Sequence, residues 1–335
     1  MDPLSQGTVG AAFAQSAANK TNIAKVSIIG FLAGLAPDLD VLIRSSSDPV
    51  LFLEYHRQFT HSLIFIPLGA LIVAACIFPL VRQSLSFKTT YLASLLGYAT
   101  HGLLDACTSY GTLLFWPFSD ERITWNNISI VDPLLTIPAL ILVAVAVKTN
   151  RRQLGFLAVG WIVSYLALGF VQYDRALSSG LKLAQSRGHS AERMTLKPSF
   201  GNLILWKSIY QHEDRFYVDA IRAGRTLTWC PGESIRIFDY QFHLPDIERN
   251  SQQMKDIERF RWFSQDYLGF DGDKNLVTDV RYSMIPNQIA PMWGLVIDQR
   301  QGTHEHAVWW AGRDLDDENF ALFKKMLLGD GCTAN

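Results

Sequence analysis

Three short motifs in the N-terminal half of this 335-residue chain hold side chains that can bind metal ions. Pro37-Asp38-Leu39-Asp40 supplies two carboxylates, and two imidazoles, His56 and His61, follow in the next motif. His101 and Asp105 stand four residues apart, so on a helix they project from one face. Oxygen and nitrogen ligands of this kind suit Zn, Mn or Fe. The motifs therefore predict a divalent metal site.

The six candidate ligands exceed the four that one tetrahedral zinc takes, which favours two or more metal ions. The sequence predicts the ligand set Asp38, Asp40, His56, His61, His101 and Asp105, with Asp40 or Asp105 as a bridge. Such a cluster activates water and stabilises the charge of a phosphoryl displacement. Arg57 is predicted to hold an anionic substrate group by paired hydrogen bonds. Asp132 is predicted as a further catalytic residue that supports the metal ligands from outside, with Asp120 as the alternative.

Each motif also has a simpler interpretation. The two aspartates can cap a helix, the two histidines can lie at a membrane boundary, and the third motif can be a hydrogen-bonded pair. Together the three motifs favour a shared metal site, with a proton or ion path as the main alternative. No His-Glu-x-x-His, Gly-x-Ser-x-Gly or phosphate-binding glycine loop occurs in the sequence.

Five apolar segments position these motifs: residues 23–43, 61–81, 91–107, 130–147 and 154–173. Several are about 18–21 residues long, enough to cross about 30 Å of hydrocarbon. We therefore expect an α-helical multi-pass membrane domain of about five apolar helices. The segments with ionisable groups should face the interior of the bundle.

Charge separates the chain into two parts. Charged residues number 19 among residues 1–173 and 42 among residues 174–335. This contrast predicts a helical membrane domain over 1–173, which contains the metal site, and a water-soluble mixed α+β domain over 174–335. Because the net charge is −1, a nucleic-acid partner is not expected. The expected partners are the lipid bilayer, a small-molecule or lipid substrate, and a protein that binds the C-terminal domain.

The same five crossings predict where the C-terminal domain lies. Lys and Arg are concentrated in the loops that would share the N-terminal side, which places that side in the cytoplasm. The C-terminal domain would then be periplasmic or otherwise extracytoplasmic, whereas a re-entrant first segment would invert this location. Cys230 and Cys332 both lie in that domain, and the sequence does not decide between a disulfide and two free thiols.

In order and spacing, the motifs resemble those of the bacterial LexA-binding, inner-membrane-associated metal-dependent hydrolases. The resemblance begins at Met1-Asp2-Pro3-Leu4-Ser5-Gln6-Gly7 and continues through the three motifs to Val131-Asp132-Pro133. In the polar half, Lys197-Pro198 with Asn202 and Trp206 looks like the start of that family's outer domain. The resemblance covers most of the chain.

The resemblance implies an inner-membrane protein whose helical metal-binding core is distantly similar to zinc-dependent phospholipase C. It implies ligand roles for the same six residues. The leading hypothesis is a membrane-bound hydrolase of a phosphoester or lipid-linked substrate that uses metal-activated water. The alternatives are a membrane scaffold or regulatory protein with a structural metal site, and an ion-coupled transporter.

Overall fold

The structure is a computed structural model that describes residues 1–312, 317–330 and 332–334. It divides into two compact units. The first consists of Met1–Ile43, Tyr55–Val171 and Phe200–Asn202, and the second of Arg44–Glu54, Gln172–Ser199 and the described part of Leu203–Asn335. The second unit therefore includes a short segment from the N-terminal half, between the first two of the three motifs.

The N-terminal half is helical. In chain order its helices are α1 (Pro3–Ser16), α2 (Ile23–Leu35), α3 (Leu51–Tyr55), α4 (Ile66–Val81), α5 (Phe87–Ala106), α6 (Pro133–Thr149) and α7 (Arg152–Ser186). Short 3₁₀ helices, Ala36–Leu42, Phe59–His61 and Leu63–Phe65, join α2 to α4. Two of these short elements carry the first two motifs.

Local sequence explains where several helices begin. Asp2 caps α1 by accepting a hydrogen bond from the Ser5 amide, and Pro3 stands where no backbone donor is needed. Ser86 caps α5 in the same way through the amide of Thr89. Within the first unit α2 and α5 pack so closely that a Cβ at Gly97 would overlap the backbone carbonyl of Gly30. Small residues thus bring the helix of the third motif against α2.

The prediction of about five membrane-crossing helices is wrong. Among the described residues, two helical segments are long and apolar enough to cross a membrane, Leu63–Val81 and Arg152–Ser186. The α-helix of the first apolar segment ends at Leu35 and a 3₁₀ helix follows from Ala36, because Pro37 has no amide hydrogen to continue the α-helical hydrogen bonds. The fourth gives a helix of 17 residues, which is shorter than the about 20 apolar residues that a crossing usually takes.

The third segment, α5, is long enough but its buried face is polar. Thr100, His101 and Asp105 are all buried there, together with Thr90 and Ser94. A polar face of this kind must be matched by protein groups rather than by lipid. The N-terminal part is therefore a helical unit with two candidate membrane spans.

The second unit contains two antiparallel sheets. The first comprises β1 (Arg193–Pro198), β2 (Leu205–His212), β3 (Arg215–Ala223), β4 (Leu227–Cys230), β5 (Ser234–Arg236) and β10 (Thr333–Ala334), in the order β1-β2-β3-β4-β10 with β5 against β3. The second comprises β6 (Leu268–Asp271), β7 (Leu276–Asp279), β8 (Trp293–Val296) and β9 (Val308–Ala311) in sequence order. In the described residues that follow β5, the helices are α8 (Tyr240–His243), α9 (Gln252–Phe263) and α10 (Asp317–Leu328).

Cys230 and Cys332 form a disulfide in this unit. Cys230 is buried in a cluster with Leu205 and Met326, and Cys332 packs against the same cluster. The bond ties β4 to residues beyond α10, which are 102 positions away in sequence. The structure thereby pairs the two cysteines whose pairing the sequence left open.

Candidate metal centre

Local structure gathers the three motifs in the first unit. The 3₁₀ helix Ala36–Leu42 carries Asp38 and Asp40, and the 3₁₀ helix Phe59–His61 ends at His61. His101 and Asp105 lie one turn apart near the end of α5 and are fully buried. The six side chains named by the sequence therefore lie together, although they come from three separate stretches of chain.

His61, His101, Asp38 and Asp105 form the inner group. The Nε2 atoms of the two histidines are 2.9 Å apart. Asp38 Oδ1 lies 3.4 Å from Nε2 of His61 and 3.3 Å from Nε2 of His101. Asp105 Oδ2 lies 3.2 Å and 3.5 Å from the same two nitrogens. One ligand atom from each of the four side chains falls within 4.8 Å of all the others.

Asp38, Asp40 and His56 form a second group of three possible ligands. His56 Nδ1 is 2.8 Å from Asp40 Oδ1, which leaves Nε2 of His56 free of that hydrogen bond. Asp38 belongs to both groups, and the bridging role predicted for Asp40 or Asp105 stays a prediction.

Hydrogen bonds fix the orientation of both inner imidazoles. His101 Nδ1 contacts the carbonyl oxygen of Gly34, so Nδ1 must carry the proton. The Thr60 hydroxyl donates to Asp40 Oδ2 at 2.9 Å and can therefore accept from Nδ1 of His61. Both Nε2 atoms then present lone pairs to each other. Two lone pairs at 2.9 Å require a proton or a cation between them.

Asp105 provides an independent test of whether a metal ion fits. Its Oδ2 atom is buried and lies 3.2 Å and 3.5 Å from the two Nε2 atoms and 3.2 Å from Nε of Arg57. A buried carboxylate is costly unless donors or cations compensate its charge, and Arg57 supplies part of that compensation. The donor set of histidine nitrogen and carboxylate oxygen is one that Zn, Mn and Fe accept. The residues present therefore fit a divalent metal ion.

Charge in the cluster agrees with this fit. Burial by itself lowers the pKa of His61, but hydrogen bonds with Asp105, Asp38 and Asp40 raise that pKa to about 10. Burial by itself raises the pKa of Asp38 and Asp40, whereas hydrogen bonds with the histidines hold both pKa values well below their usual range. The carboxylates are thus charged, and a proton on His61 or a bound cation balances that charge.

Arg57 lies beside the inner group. Its Nε is 3.2 Å from Asp105 Oδ2, its Nη1 donates to the Thr108 hydroxyl, and its guanidinium lies over the Tyr110 ring. The backbone of Arg57 has φ 66°, a left-handed conformation that costs a non-glycine residue about 1–3 kcal/mol unless its surroundings hold it. Here its amide donates to Asp40 Oδ2. Arg57 therefore stabilises two of the carboxylates, and its contact with substrate stays a prediction.

Asp132 lies outside both groups. It caps α6 by accepting from the amides of Leu134 and Leu135, and it accepts from the hydroxyl of Tyr165. These are the contacts of a helix cap. The catalytic role predicted for Asp132 has no support from them and stays a prediction.

Two polar residues without a predicted role also contact the cluster. Gln6 Nε2 donates to Asp105 Oδ1 at 2.9 Å, and Thr60 links Asp40 to His61. The amino group of Met1 also contacts Asp105 Oδ1. Thr60 stands beside a candidate ligand in sequence, so its position was a usable signal. Gln6 is 99 residues from Asp105, and only the packing of α1 in the first unit reveals the contact.

The comparisons with known proteins agree with the N-terminal part of this description. A family model described as YdjM inner membrane protein matches residues 1–176, which include all six candidate ligands. The uncharacterized protein YfhP of Bacillus subtilis (strain 168) is 30% identical over 251 residues, 73% of this chain and 72% of that protein. No solved structure gives a significant match. The inner-membrane part of the expected resemblance is thus confirmed, whereas LexA binding and metal-dependent hydrolysis stay predictions.

Proposed function

The chain belongs to the YdjM inner membrane protein family, and we propose that it is a membrane-bound hydrolase that acts on a phosphoester with the help of divalent metal ions. The observation that carries the proposal is the arrangement of His61 and His101. Their Nε2 atoms face each other at 2.9 Å between the buried carboxylate of Asp105 and the partly exposed carboxylate of Asp38. Zn, Mn or Fe would suit these ligands.

His61, His101, Asp38 and Asp105 would hold one metal ion, and Asp38, Asp40 and His56 would hold a second. When bound, the ions would lower the pKa of a water molecule and neutralise the negative charge of the phosphoryl group. Thr60 keeps His61 oriented through Nδ1, and the carbonyl of Gly34 does the same for His101. Arg57 offsets the charge of Asp105 and is proposed to orient the anionic substrate.

Exposure favours catalysis over a purely structural site. The side chains of Asp38 and His56 are 25% and 18% exposed, whereas those of His61, His101 and Asp105 are completely buried. The cluster is therefore anchored by buried ligands and is open on the side where Asp38 and His56 lie. A substrate and water could reach that side, which a closed structural site does not need.

Removal of the metal tests the proposal. We expect the protein purified in detergent to contain a divalent metal by elemental analysis and to hydrolyse bis-p-nitrophenyl phosphate. Treatment with a chelator should abolish hydrolysis, and added Zn²⁺, Mn²⁺ or Fe²⁺ should restore it. Wild-type protein that contains no metal and takes up none would refute the proposal. Metal retention without hydrolysis of any phosphoester would favour the scaffold alternative.

We also propose that the C-terminal unit is extracytoplasmic, because disulfides persist in oxidising compartments. In a Cys76→Ser, Cys107→Ser background, maleimide added before reduction should label no cysteine, and after reduction it should label two. The disulfide is expected to stabilise the unit by about 2–5 kcal/mol. A Cys230→Ser, Cys332→Ser variant should therefore unfold at a lower temperature. Immediate labelling of both thiols in freshly lysed cells would contradict this location.

A further inference from the structure

The segment Arg44–Glu54 connects two metal-binding motifs but folds as part of the second unit. It follows the 3₁₀ helix of Asp38 and Asp40 and leads directly into the segment that begins with Tyr55 and His56. Val50 and Leu53 are completely buried, and the Phe52 ring packs edge-on against Trp309 at 5.0 Å. This connection is therefore an anchored segment rather than a free loop.

Arg259, on α9, holds both halves of the segment. Its Nη1 and Nη2 atoms each donate to a carboxylate oxygen of Asp48 at 2.9 Å, a bidentate pair. Its Nε donates to Glu54, two residues before His56. The guanidinium also donates to Asp256 on the same helix, one turn earlier. One side chain thus fixes Asp48 and Glu54 at two points of the segment.

The surrounding side chains are arranged for the guanidinium rather than for a metal ion. Asp48, Asp256 and His306 have ligand atoms close enough to hold a metal. However, Arg259 already occupies the oxygens of Asp48, and Asp256 accepts from Nδ1 of His306 and from the amide of Ala307. A metal ion here would have to displace a cation that makes charge-assisted hydrogen bonds with three carboxylates. The cluster is therefore an ion-pair anchor.

We propose that Arg259 is a positioning residue of the candidate metal centre, because it anchors the segment that sets the spacing between Asp40 and His56. The expected effect on metal affinity rests on the proposed metal function, whereas the anchoring of residues 44–54 by Arg259 does not. Asp40 and His56 are 16 residues apart and contact each other at 2.8 Å. An unanchored connection would lose more conformational entropy when metal draws the two ligands together. The anchor removes part of that cost before metal binds.

The test compares Arg259→Gln with Arg261→Gln in the full-length chain. Arg261 lies two residues further along the same helix, and its ion pairs are with Glu258 and Asp266, so it is a matched control. Zinc affinity is measured by competition with a chromophoric chelator. We expect the dissociation constant to rise by about tenfold or more for Arg259→Gln, which is about 1.4 kcal/mol. For Arg261→Gln it should stay within about twofold of wild type.

Two further measurements separate positioning from a general loss of structure. Amide hydrogen exchange in the metal-free protein should become faster at residues 44–61 in Arg259→Gln, while exchange in β2 and β3 stays slow. The absorption spectrum of Co²⁺-loaded protein should also change, because ligand geometry alters it. If Arg259→Gln does not fold, Arg259→Lys keeps the charge without the bidentate geometry and should show the same effects more weakly.

The outcomes distinguish this inference from the proposed function. Unchanged zinc affinity and unchanged exchange at residues 44–61 would overturn the positioning role of Arg259. Wild-type protein that binds metal tightly but hydrolyses no phosphoester would overturn the hydrolase proposal alone. If wild type binds no metal, the metal proposal fails, and the exchange measurement still decides whether Arg259 anchors the segment.

Discussion

Replacement of His61 by alanine is expected to abolish both metal binding and hydrolysis. Its Nε2 atom lies within 3.4 Å of Asp38, His101 and Asp105, and its Nδ1 side faces Asp40 and Thr60. Losing a residue that merely orients a ligand costs about 10–100-fold in metal affinity, so loss of a central ligand should cost at least about 100-fold. Hydrolysis should fall by about a thousandfold or more, as when a major electrostatic group is removed.

The His61→Ala result needs a control for folding and for histidine content. His189→Ala removes an imidazole from the second unit, where His189 contacts Tyr210 and His212. This variant should retain metal and activity. Circular dichroism and thermal unfolding in detergent will show whether His61→Ala remains folded. A folded His61→Ala protein that keeps its full metal content would exclude the inner group as the metal centre.

The candidate ligands could be selected from the sequence because the signals that mark them are local. The spacing of His101 and Asp105 predicts a shared helical face without any knowledge of the rest of the chain, and α5 presents both on its buried face. Carboxylates and imidazoles are also conspicuous in an apolar half that has few charges. Residue type and short-range spacing were thus sufficient to select side chains that the structure brings together.

The number of membrane-crossing helices was harder to predict from the sequence, because an apolar segment does not reveal whether it packs against protein or lipid. Apolar residues in α2 are buried against other helices, where Ile23, Val26 and Ile29 share a core with Ala14 and Ala93. A protein core and a lipid bilayer select for the same residue types. Counting apolar segments therefore gave about five crossings, whereas two helical segments of the described chain have the necessary length and composition.

Long-range contacts were the least predictable part of the site. The ion pair of Arg57 with Asp105 joins residues 48 apart, and the anchor formed by Arg259 with Asp48 joins residues 211 apart. Neither contact follows from local periodicity, because each depends on how separate elements pack in three dimensions. Arg57 was predicted from its neighbours to contact a substrate, which stays a prediction, and its ion pair with a candidate ligand was not predicted.

The second large effect is expected at Gly102, which makes no hydrogen bond to the cluster through a side chain. Gly102 lies on the buried face of α5 between His101 and Asp105, and a Cβ there would overlap the backbone carbonyl oxygen of His61. Because that neighbour is backbone, a rotamer change cannot relieve the overlap. In Gly102→Ala, the 3₁₀ helix Phe59–His61 must move away from α5, and His61 moves with it.

Such overpacking typically costs about 1–3 kcal/mol of folding free energy, and we expect Gly102→Ala to lower the unfolding temperature accordingly. Metal affinity should fall by at least about tenfold, since ligands act only when held close to the productive geometry. Gly160→Ala is the matched control, because a Cβ at Gly160 on α7 meets no atom within 4 Å and alanine favours helix. If Gly102→Ala binds metal with wild-type affinity, the carbonyl of His61 can shift without moving its imidazole. Close packing against α5 would then not be the cause of the position of His61 in the candidate metal centre.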